Sequence, residues 1–258
     1  MQYNAIVNSI RDITPEIKLF CISFKDGHKF DFKAGQFAVL GLPDDKNNLD
    51  GEWHRRAYSI TSAPSQSEVE FYIVLVKDGR LTPRLFALKA GDEIFMGEKA
   101  AGLMGFADVP EHNNILFVST GTGIAPFVSI LREHKNEIFN GKRQVGLIHG
   151  ARHTYELGFK GELEDLAKKS SYFHYWPIVS RAEQEIGVEW TGHKGHAQSL
   201  VINGTVEKEF GTKITADNFS IFLCGNPRMV DECVALFDEK GFTRNTIKEK
   251  GNLYFDKH

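Results

Sequence analysis

The stretch Arg56-Ala57-Tyr58-Ser59-Ile60-Thr61-Ser62-Ala63-Pro64 is the most informative segment of the sequence. On a strand, alternation points Arg56 and Tyr58 to one side and Ser59 to the other. The first side then offers a fixed positive fork for a phosphate and an aromatic plate for a planar ring. An edge strand with an exposed arginine and a half-buried tyrosine explains the same residues without any ligand.

A second segment downstream reads as a strand, a tight turn and a helix start. Residues 71–76 are FYIVLV, and residues 77–85 are KDGRLTPRL. The free N–H groups of a helix start can hold a pyrophosphate. Taken alone, this segment is also an ordinary strand-turn-helix.

Around these two segments, the first hundred residues read as closely spaced strands separated by turn residues. One short helix fits Leu81–Leu88. Closely spaced strands with little helix are typical of a barrel or a sandwich. The expected strands are Ala5–Ile10, Ile17–Phe24, Gln36–Leu42, Arg56–Ile60, Val69–Val76 and Glu93–Gly97.

After Pro110 strands alternate with helices, which predicts a parallel sheet with crossover helices. A helix over Asn226–Glu239 is well marked, because Asn226 can cap it and Gly241 suits its end. The expected strands are Ile115–Ser119, Gln144–His149, Tyr175–Val179 and Phe219–Leu223, with further helices after residue 123 and around Glu162–Lys169 and Ala197–Ile202.

The length and the change of pattern predict two domains. The chain has 258 residues, more than the roughly 100–150 typical of one domain. The boundary is expected near Leu103–Asn113, which gives domains at residues 1–105 and 106–258.

Two turns of the second half follow buried strands and open helices. Residues 121–126 are GTGIAP, and a glycine pair there lets the backbone come close to a ligand. Pro126 stands where the G-x-G-x-x-G fingerprint has its third glycine, so that fingerprint is absent. Residues 224–229 are CGNPRM. An ordinary turn explains the first segment equally well, and Cys224 could be plain core.

Two arginines each follow a predicted strand of the parallel sheet. Arg152 comes after Gln144–His149, and Arg181 comes after Tyr175–Val179. Ligands bind at the carboxyl ends of such strands, and paired guanidinium groups favour a dianionic phosphate over a ribose hydroxyl. Two solvated arginines are the alternative.

Composition excludes several other classes of function. The formal net charge is -3, which gives no sign of nucleic-acid binding. The three cysteines have no paired spacing, so free thiols in a reducing compartment are expected. No signal peptide or membrane span is visible, which predicts a cytoplasmic protein. The ten histidines form no H-E-x-x-H motif, and no metal site is expected.

In this order and at this spacing, the four segments resemble the bacterial ferredoxin/flavodoxin–NADP reductases. The resemblance spans nearly the whole chain. It implies an antiparallel flavin-binding β-barrel followed by a doubly wound parallel-sheet nucleotide-binding domain, with FAD between them. It also implies hydride exchange with NADPH and single-electron exchange with ferredoxin or flavodoxin, by a monomer.

The resemblance also assigns roles to individual residues. Tyr58 and Ser59 border the flavin ring, Cys224 lies beside the nicotinamide, and His258 is the candidate for stacking on the flavin. The cofactor-binding residues that it implies are Arg56, Ala57, Tyr58, Ser59, Tyr72, Ile73, Val74, Leu75, Arg80, Leu81, Thr82, Thr122, Ala151, Arg152, Arg181 and His196.

Two parts of the chain depart from the family pattern. Residues 191–199 hold His193, Lys194 and His196 instead of a plain arginine, which leaves NADPH favoured and NADH possible. The chain ends in NLYFDKH, where relatives end in an aromatic residue or a short aromatic tail. Phe255 or Tyr254 could serve in place of His258, and a frayed or core-packed tail is a further alternative.

Three other functions stay open at the level of sequence. The first is an NADH-dependent reductase component that supplies an oxygenase, and the second is a reductase of free flavin. The third, from a different class, is a sensor module that binds nucleotide without turnover. The intact RAYS, GTG and CGNP segments count against the third.

Overall fold

The computed structural model describes residues 2–106, 109–111, 113–141, 143–187 and 189–257. The chain divides into two compact units. The first comprises Met1–Gly105 with Ala125–Glu133, and the second comprises Phe106–Ile124 with His134–His258. The domain boundary at 105/106 stays a prediction.

The first unit is built on a six-stranded antiparallel sheet in the order β4-β3-β6-β1-β2-β5. An isolated antiparallel bridge between Ile60 and Phe71 connects the two ends of this order. The Thr61 N–H adds a 2.9 Å hydrogen bond to the Glu70 carbonyl. The predicted antiparallel barrel is confirmed. Its elements are β1 (Ala5–Thr14), β2 (Ile17–Phe24), β3 (Phe37–Pro43), β4 (Trp53–Ser59), β5 (Val69–Val74), α1 (Thr82–Phe86) and β6 (Glu93–Met96).

The first unit closes around aromatic and β-branched side chains. Phe20, Ile22, Leu40 and Phe71 are fully buried, as alternation on their strands requires. β1 runs four residues beyond the expected Ala5–Ile10, because its polar second half pairs with β2 through a register shift. Polar residues on a half-exposed strand hide such an extension from a hydrophobic pattern.

The second unit is built on a six-stranded parallel sheet in the order β10-β9-β8-β7-β11-β12. This confirms the predicted doubly wound α/β arrangement. Its strands are β7 (Asn114–Thr120), β8 (Val145–Ala151), β9 (Phe173–Val179), β10 (His193–Lys194), β11 (Phe219–Gly225) and β12 (Leu253–Lys257). The helices after residue 124 are α2 (Ala125–Phe139), α3 (Lys160–Lys169), α4 (Ser199–Ile202), α5 (Thr205–Phe210) and α6 (Pro227–Glu239).

The order of this sheet reverses at β7. β8 pairs with one edge of β7 and β11 pairs with the other, so the chain winds outward in both directions. In open parallel sheets, ligands bind beyond the carboxyl ends of the strands at this reversal. The segments 121–126 and 224–229 begin at or just beyond the ends of β7 and β11.

The C-terminal segment forms the edge strand β12 beside β11. Leu253 and Tyr254 are buried, and the Tyr254 ring stacks on Phe222 with centroids 4.2 Å apart. Residues 253–254 therefore pack in the core, which was one of the alternatives for the C-terminal tail. His258 lies outside the described residues. Within the described part of the chain, no helix has both the length and the apolar character that crossing a membrane requires.

Candidate functional site

The RAYS segment, residues 56–59, forms the last four residues of β4. Arg56 is exposed, and its Nη1 donates a 2.7 Å hydrogen bond to the Arg55 carbonyl. Tyr58 is partly buried against the barrel core, and burial raises its pKa to about 12. Its hydroxyl therefore stays protonated at neutral pH. Ser59 is buried and Ala57 is exposed, so the segment presents Arg56 and the Tyr58 ring as a positive group beside a neutral aromatic face.

The strand-turn-helix of residues 71–85 is held by one threonine. The Val76 N–H donates to Thr82 Oγ1 at 2.9 Å, and that hydroxyl donates to the Val76 carbonyl at 3.0 Å. Leu81 is buried beneath the turn. The Thr82 hydroxyl thus stabilises the turn by binding the backbone of Val76. Of the three predicted pyrophosphate contacts, Arg80 is the one that is charged and exposed.

The predicted flavin contacts on β5 divide into two kinds. Tyr72 and Ile73 are buried, whereas Val74 and Leu75 are partly exposed. The bridge between Ile60 and Phe71 joins the end of the RAYS strand to this segment, so the structure brings these two sets of residues together.

A buried histidine, His54, connects the RAYS strand with the segment of residues 71–85 through two carboxylates. His54 is 6% exposed and precedes Arg56 by two residues, on the same side of β4. Its Nε2 lies 2.9 Å from Asp44 Oδ1, and its Nδ1 lies 3.7 Å from Glu52 Oε1. Asp44 also pairs with Arg84 at 2.5 Å, and Glu52 pairs with Arg80 at 3.1 Å.

Sequence reasoning missed this cluster. The hydrogen bond from His54 and the nearby guanidinium of Arg84 hold the pKa of Asp44 below its usual value. The two carboxylates link β4 to the segment that holds Arg80 and Arg84. Only a histidine two residues before Arg56 hints at it in the sequence.

In the second unit, the turns after β7 and β11 interlock. A Cβ added at Gly123 would lie 2.5 Å from the carbonyl carbon of Cys224 and 2.6 Å from Cα of Gly225. Gly225 has φ +128°, and a Cβ there would lie 2.5 Å from the Thr120 carbonyl oxygen. The Asn226 N–H donates to Thr120 Oγ1 at 2.9 Å. The backbones of both turns are therefore in contact, which only glycines at these positions allow.

This contact places two predicted site residues at the sheet reversal. Thr122 lies in the 3₁₀ turn Gly121–Ile124 and is partly exposed. Cys224 is fully buried, and burial raises the pKa of its thiol well above the ordinary value, with the charge of Asp256 adding to the effect. The thiol is neutral at physiological pH, so Cys224 can act by its position and size and not as a nucleophile.

The loops after β8, β9 and β10 share one edge of the sheet, since these strands are neighbours. Ala151 ends β8, and the Arg181 N–H donates to the Arg152 carbonyl at 2.8 Å. The structure therefore brings the two predicted arginines together. His196 is exposed beyond the end of β10 on the same edge. Arg152 pairs with Glu156 at 2.7 Å, a partner that sequence reasoning did not identify.

These groups suit two nucleotide cofactors chemically. The interlocked glycine turns let a ligand approach the backbone at the sheet reversal, and the guanidinium groups of Arg56, Arg80, Arg152 and Arg181 suit phosphates. No group of three or more metal-ligating side chains occurs among the residues that the structure describes.

Comparisons with known proteins identify the family. Residues 4–99 match the family model of the oxidoreductase FAD-binding domain, and residues 117–235 match that of the oxidoreductase NAD-binding domain. The flavodoxin/ferredoxin–NADP reductase of Buchnera aphidicola subsp. Schizaphis graminum is 33% identical over 233 residues, which cover 88% of each chain. The chain belongs to the flavodoxin/ferredoxin–NADP reductase family.

Further members of this reductase family agree. The flavodoxin/ferredoxin–NADP reductase of Escherichia coli K12 is 36% identical over 200 residues, which cover 77% of this chain and 76% of the relative. A crystal structure of a ferredoxin NADP+ reductase from Neisseria gonorrhoeae with bound FAD and NADP has a TM-score of 0.83 and 28% identity. The match covers 99% of this chain and 98% of that one. The resemblance drawn from the four sequence segments is confirmed.

Proposed function

We propose that this chain passes electrons between NADP(H) and ferredoxin or flavodoxin, using FAD as its bound cofactor. The observation that supports this most directly is the contact of Gly123 with Cys224 and Gly225. It joins two glycine turns at the sheet reversal, where open parallel sheets bind their ligands.

FAD accepts a hydride from a nicotinamide and can deliver the two electrons one at a time, so the protein has to bind and orient it. Arg56 and Arg80 would hold the pyrophosphate, and the Tyr58 ring would cover one face of the flavin. Because its pKa is raised to about 12, Tyr58 offers a neutral ring and a protonated hydroxyl throughout the working range. Ser59 lies next to it on β4 and would border the reacting edge.

NADPH would bind along the carboxyl edge of the parallel sheet. Arg152 and Arg181 are linked through their backbones and expose their side chains, which supports their role at the 2′-phosphate. His196 is exposed on the same edge and would add a further contact, and Ala151 adjoins Arg152. Thr122 and Cys224 would line the nicotinamide end.

The organisation of the protein forms part of the same proposal. It comprises an FAD-binding domain at residues 1–105 and an NADP-binding domain at residues 106–258. The protein would act as a monomer that forms transient complexes with the carrier. The cysteines Cys21, Cys224 and Cys233 are free, which supports a cytoplasmic location.

A carrier-dependent assay tests this function. The FAD-loaded protein is supplied with NADPH and cytochrome c, with and without a bacterial ferredoxin or flavodoxin. We expect cytochrome c reduction that depends on the carrier and saturates with it. A rate that ignores the carrier and rises with added free flavin would instead indicate a flavin reductase. A strong preference for NADH would indicate the reductase component of an oxygenase.

A further inference from the structure

Two buried carboxylates lie in the loops that carry the arginines of the proposed 2′-phosphate site. Glu156 follows β8 and is 8% exposed. Glu185 follows β9, and its side chain is 6% exposed. Burying an ionised carboxylate is costly unless it is paired and hydrogen-bonded. The partners of each carboxylate therefore indicate what its burial stabilises.

Glu156 receives hydrogen bonds from both the side chain and the backbone of Arg152. The guanidinium donates from Nη2 at 2.7 Å and from Nε at 3.4 Å. The Arg152 N–H donates at 3.0 Å and the His153 N–H at 3.3 Å. Two donors from one guanidinium fix its plane as well as its position. The Arg152 side chain nevertheless stays 55% exposed, so its charged end is held in one orientation at the surface.

Glu185 joins the β9 loop to the β8 loop. It accepts a hydrogen bond from the Thr154 N–H at 2.6 Å, and the Thr154 hydroxyl donates to its other oxygen. His153 Nδ1 lies 3.6 Å from Glu185. Together with the bond from Arg181 N–H to the Arg152 carbonyl, these contacts make the two loops one ordered segment.

We propose that Glu156 is a positioning residue that sets the preference of this reductase for a 2′-phosphorylated dinucleotide. It orders the Arg152 guanidinium before the nucleotide arrives, and Glu185 orders the loop beneath it. An arginine that is already ordered loses less side-chain entropy when it meets a phosphate. This inference rests on the proposed function, in which Arg152 meets the 2′-phosphate.

The negative charge of Glu156 could instead weaken phosphate binding. A carboxylate beside an arginine neutralises part of its charge, so its removal should strengthen phosphate binding. The two expectations differ in sign and can be separated by experiment. Glu183 supplies the matched control, because it is exposed on the 3₁₀ turn Ala182–Gln184 directly after Arg181.

The test compares Glu156→Gln, Glu156→Ala, Glu183→Gln and Arg152→Ala in the FAD-loaded enzyme. Ferricyanide reduction gives kcat and KM for NADPH and for NADH. Inhibition constants of 2′,5′-ADP and 5′-ADP report binding of the 2′-phosphate without turnover. For both Glu156 variants we expect kcat/KM for NADPH to fall by roughly three- to tenfold through KM, the cost of ordering one flexible side chain when the nucleotide binds.

The same variants should leave kcat/KM for NADH and the inhibition constant of 5′-ADP within about twofold, since neither ligand has a 2′-phosphate. Glu183→Gln should change the NADPH values little or improve them slightly. Equal losses with NADPH and NADH would overturn the inference, because they would mean a general disturbance of the unit. Tighter NADPH binding in the Glu156 variants would overturn it in favour of the charge argument.

The Arg152→Ala variant separates failure of the inference from failure of the proposed site. If Arg152→Ala loses NADPH selectivity while the Glu156 variants retain it, Glu156 has no positioning role. If Arg152→Ala keeps full NADPH selectivity, the assignment of Arg152 to the 2′-phosphate is wrong, and the inference about Glu156 falls with it.

Discussion

Replacing Gly123 by alanine would place a methyl group 2.5 Å from the carbonyl carbon of Cys224 and 2.6 Å from Cα of Gly225. Carbon atoms pack best at about 3.5–4.0 Å, so one of the two turns has to move by about 1 Å. Both contacted atoms are backbone, and no side-chain rotation relieves the overlap. We therefore expect Gly123→Ala to reduce the free energy of unfolding by about 1–3 kcal/mol, the usual cost of an extra methyl group in a packed site.

Gly123→Ala should also slow flavin reduction, separately from its effect on stability. The turn that moves by about 1 Å holds either Thr122 or Cys224, and both residues belong to the proposed nicotinamide end of the site. Misplacement of reacting groups by about 1 Å can slow a reaction by about a hundredfold. Single-turnover flavin reduction by NADPH should show this loss at saturating nucleotide, and urea unfolding should report the stability.

Gly161→Ala is the matched control. Gly161 lies in α3, and a Cβ there would meet nothing within 4 Å. This variant should gain about 0.5–1 kcal/mol of stability, because alanine favours a helix, and it should reduce flavin at the parental rate. A Gly123→Ala protein with parental stability and parental flavin reduction would refute the close approach of the two turns.

Three further predictions concern buried side chains. Burial lowers the pKa of His149 from 6.5 to about 3, so below pH 6.5 the unfolded chain binds a proton that the folded chain refuses. The parental protein should therefore lose about 2 kcal/mol more stability between pH 6.5 and 4.5 than His149→Gln does in urea unfolding, and an unchanged acid slope would contradict this. Cys224 is fully buried with a raised thiol pKa, so iodoacetamide at pH 8 should modify the partly exposed Cys21 first; rapid labelling of Cys224, detected by mass spectrometry of peptides, would be the opposite result. Tyr254→Ala removes a buried ring stacked on Phe222 and should cost about 3 kcal/mol, whereas a loss below about 1 kcal/mol would mean that β12 contributes little to the core.

The regular elements could be predicted because their signals are local. β2 spans Ile17–Phe24, as predicted, since β-branched and aromatic residues fill it and turn residues bound it. The helix α6 begins after Asn226, whose side chain accepts from the Arg228 N–H, and Gly241 adopts φ +83° after its end. Capping residues and turn glycines lie within a few residues of the helix or strand end that they determine, so one sequence is enough to find them.

The elements that were missed lack such signals. β10 consists only of His193–Lys194 and joins the edge of the sheet through β9, so no apolar pattern marks it. β12 is an edge strand at the end of the chain, and its pairing with β11 is a tertiary contact.

The chemistry of the site divides in the same way. The turns GTG and CGNP could be found by spacing, but their contact through Gly123 depends on the sheet order. His54 lies between Asp44 and Glu52 because β3 and β4 form a hairpin there. These two carboxylates in turn bind Arg84 of α1 and Arg80, which precedes α1. Pairings between distant segments have no local signature in one sequence.

The central claim is that this chain holds FAD and reduces it with NADPH. Anaerobic stopped-flow spectroscopy of the FAD-loaded protein, mixed with NADPH or NADH in parallel, tests this claim most directly. We expect rapid bleaching of the flavin absorbance by NADPH and much slower bleaching by NADH at equal concentration. A protein that takes up no FAD, or a flavin that neither nucleotide bleaches, would contradict it.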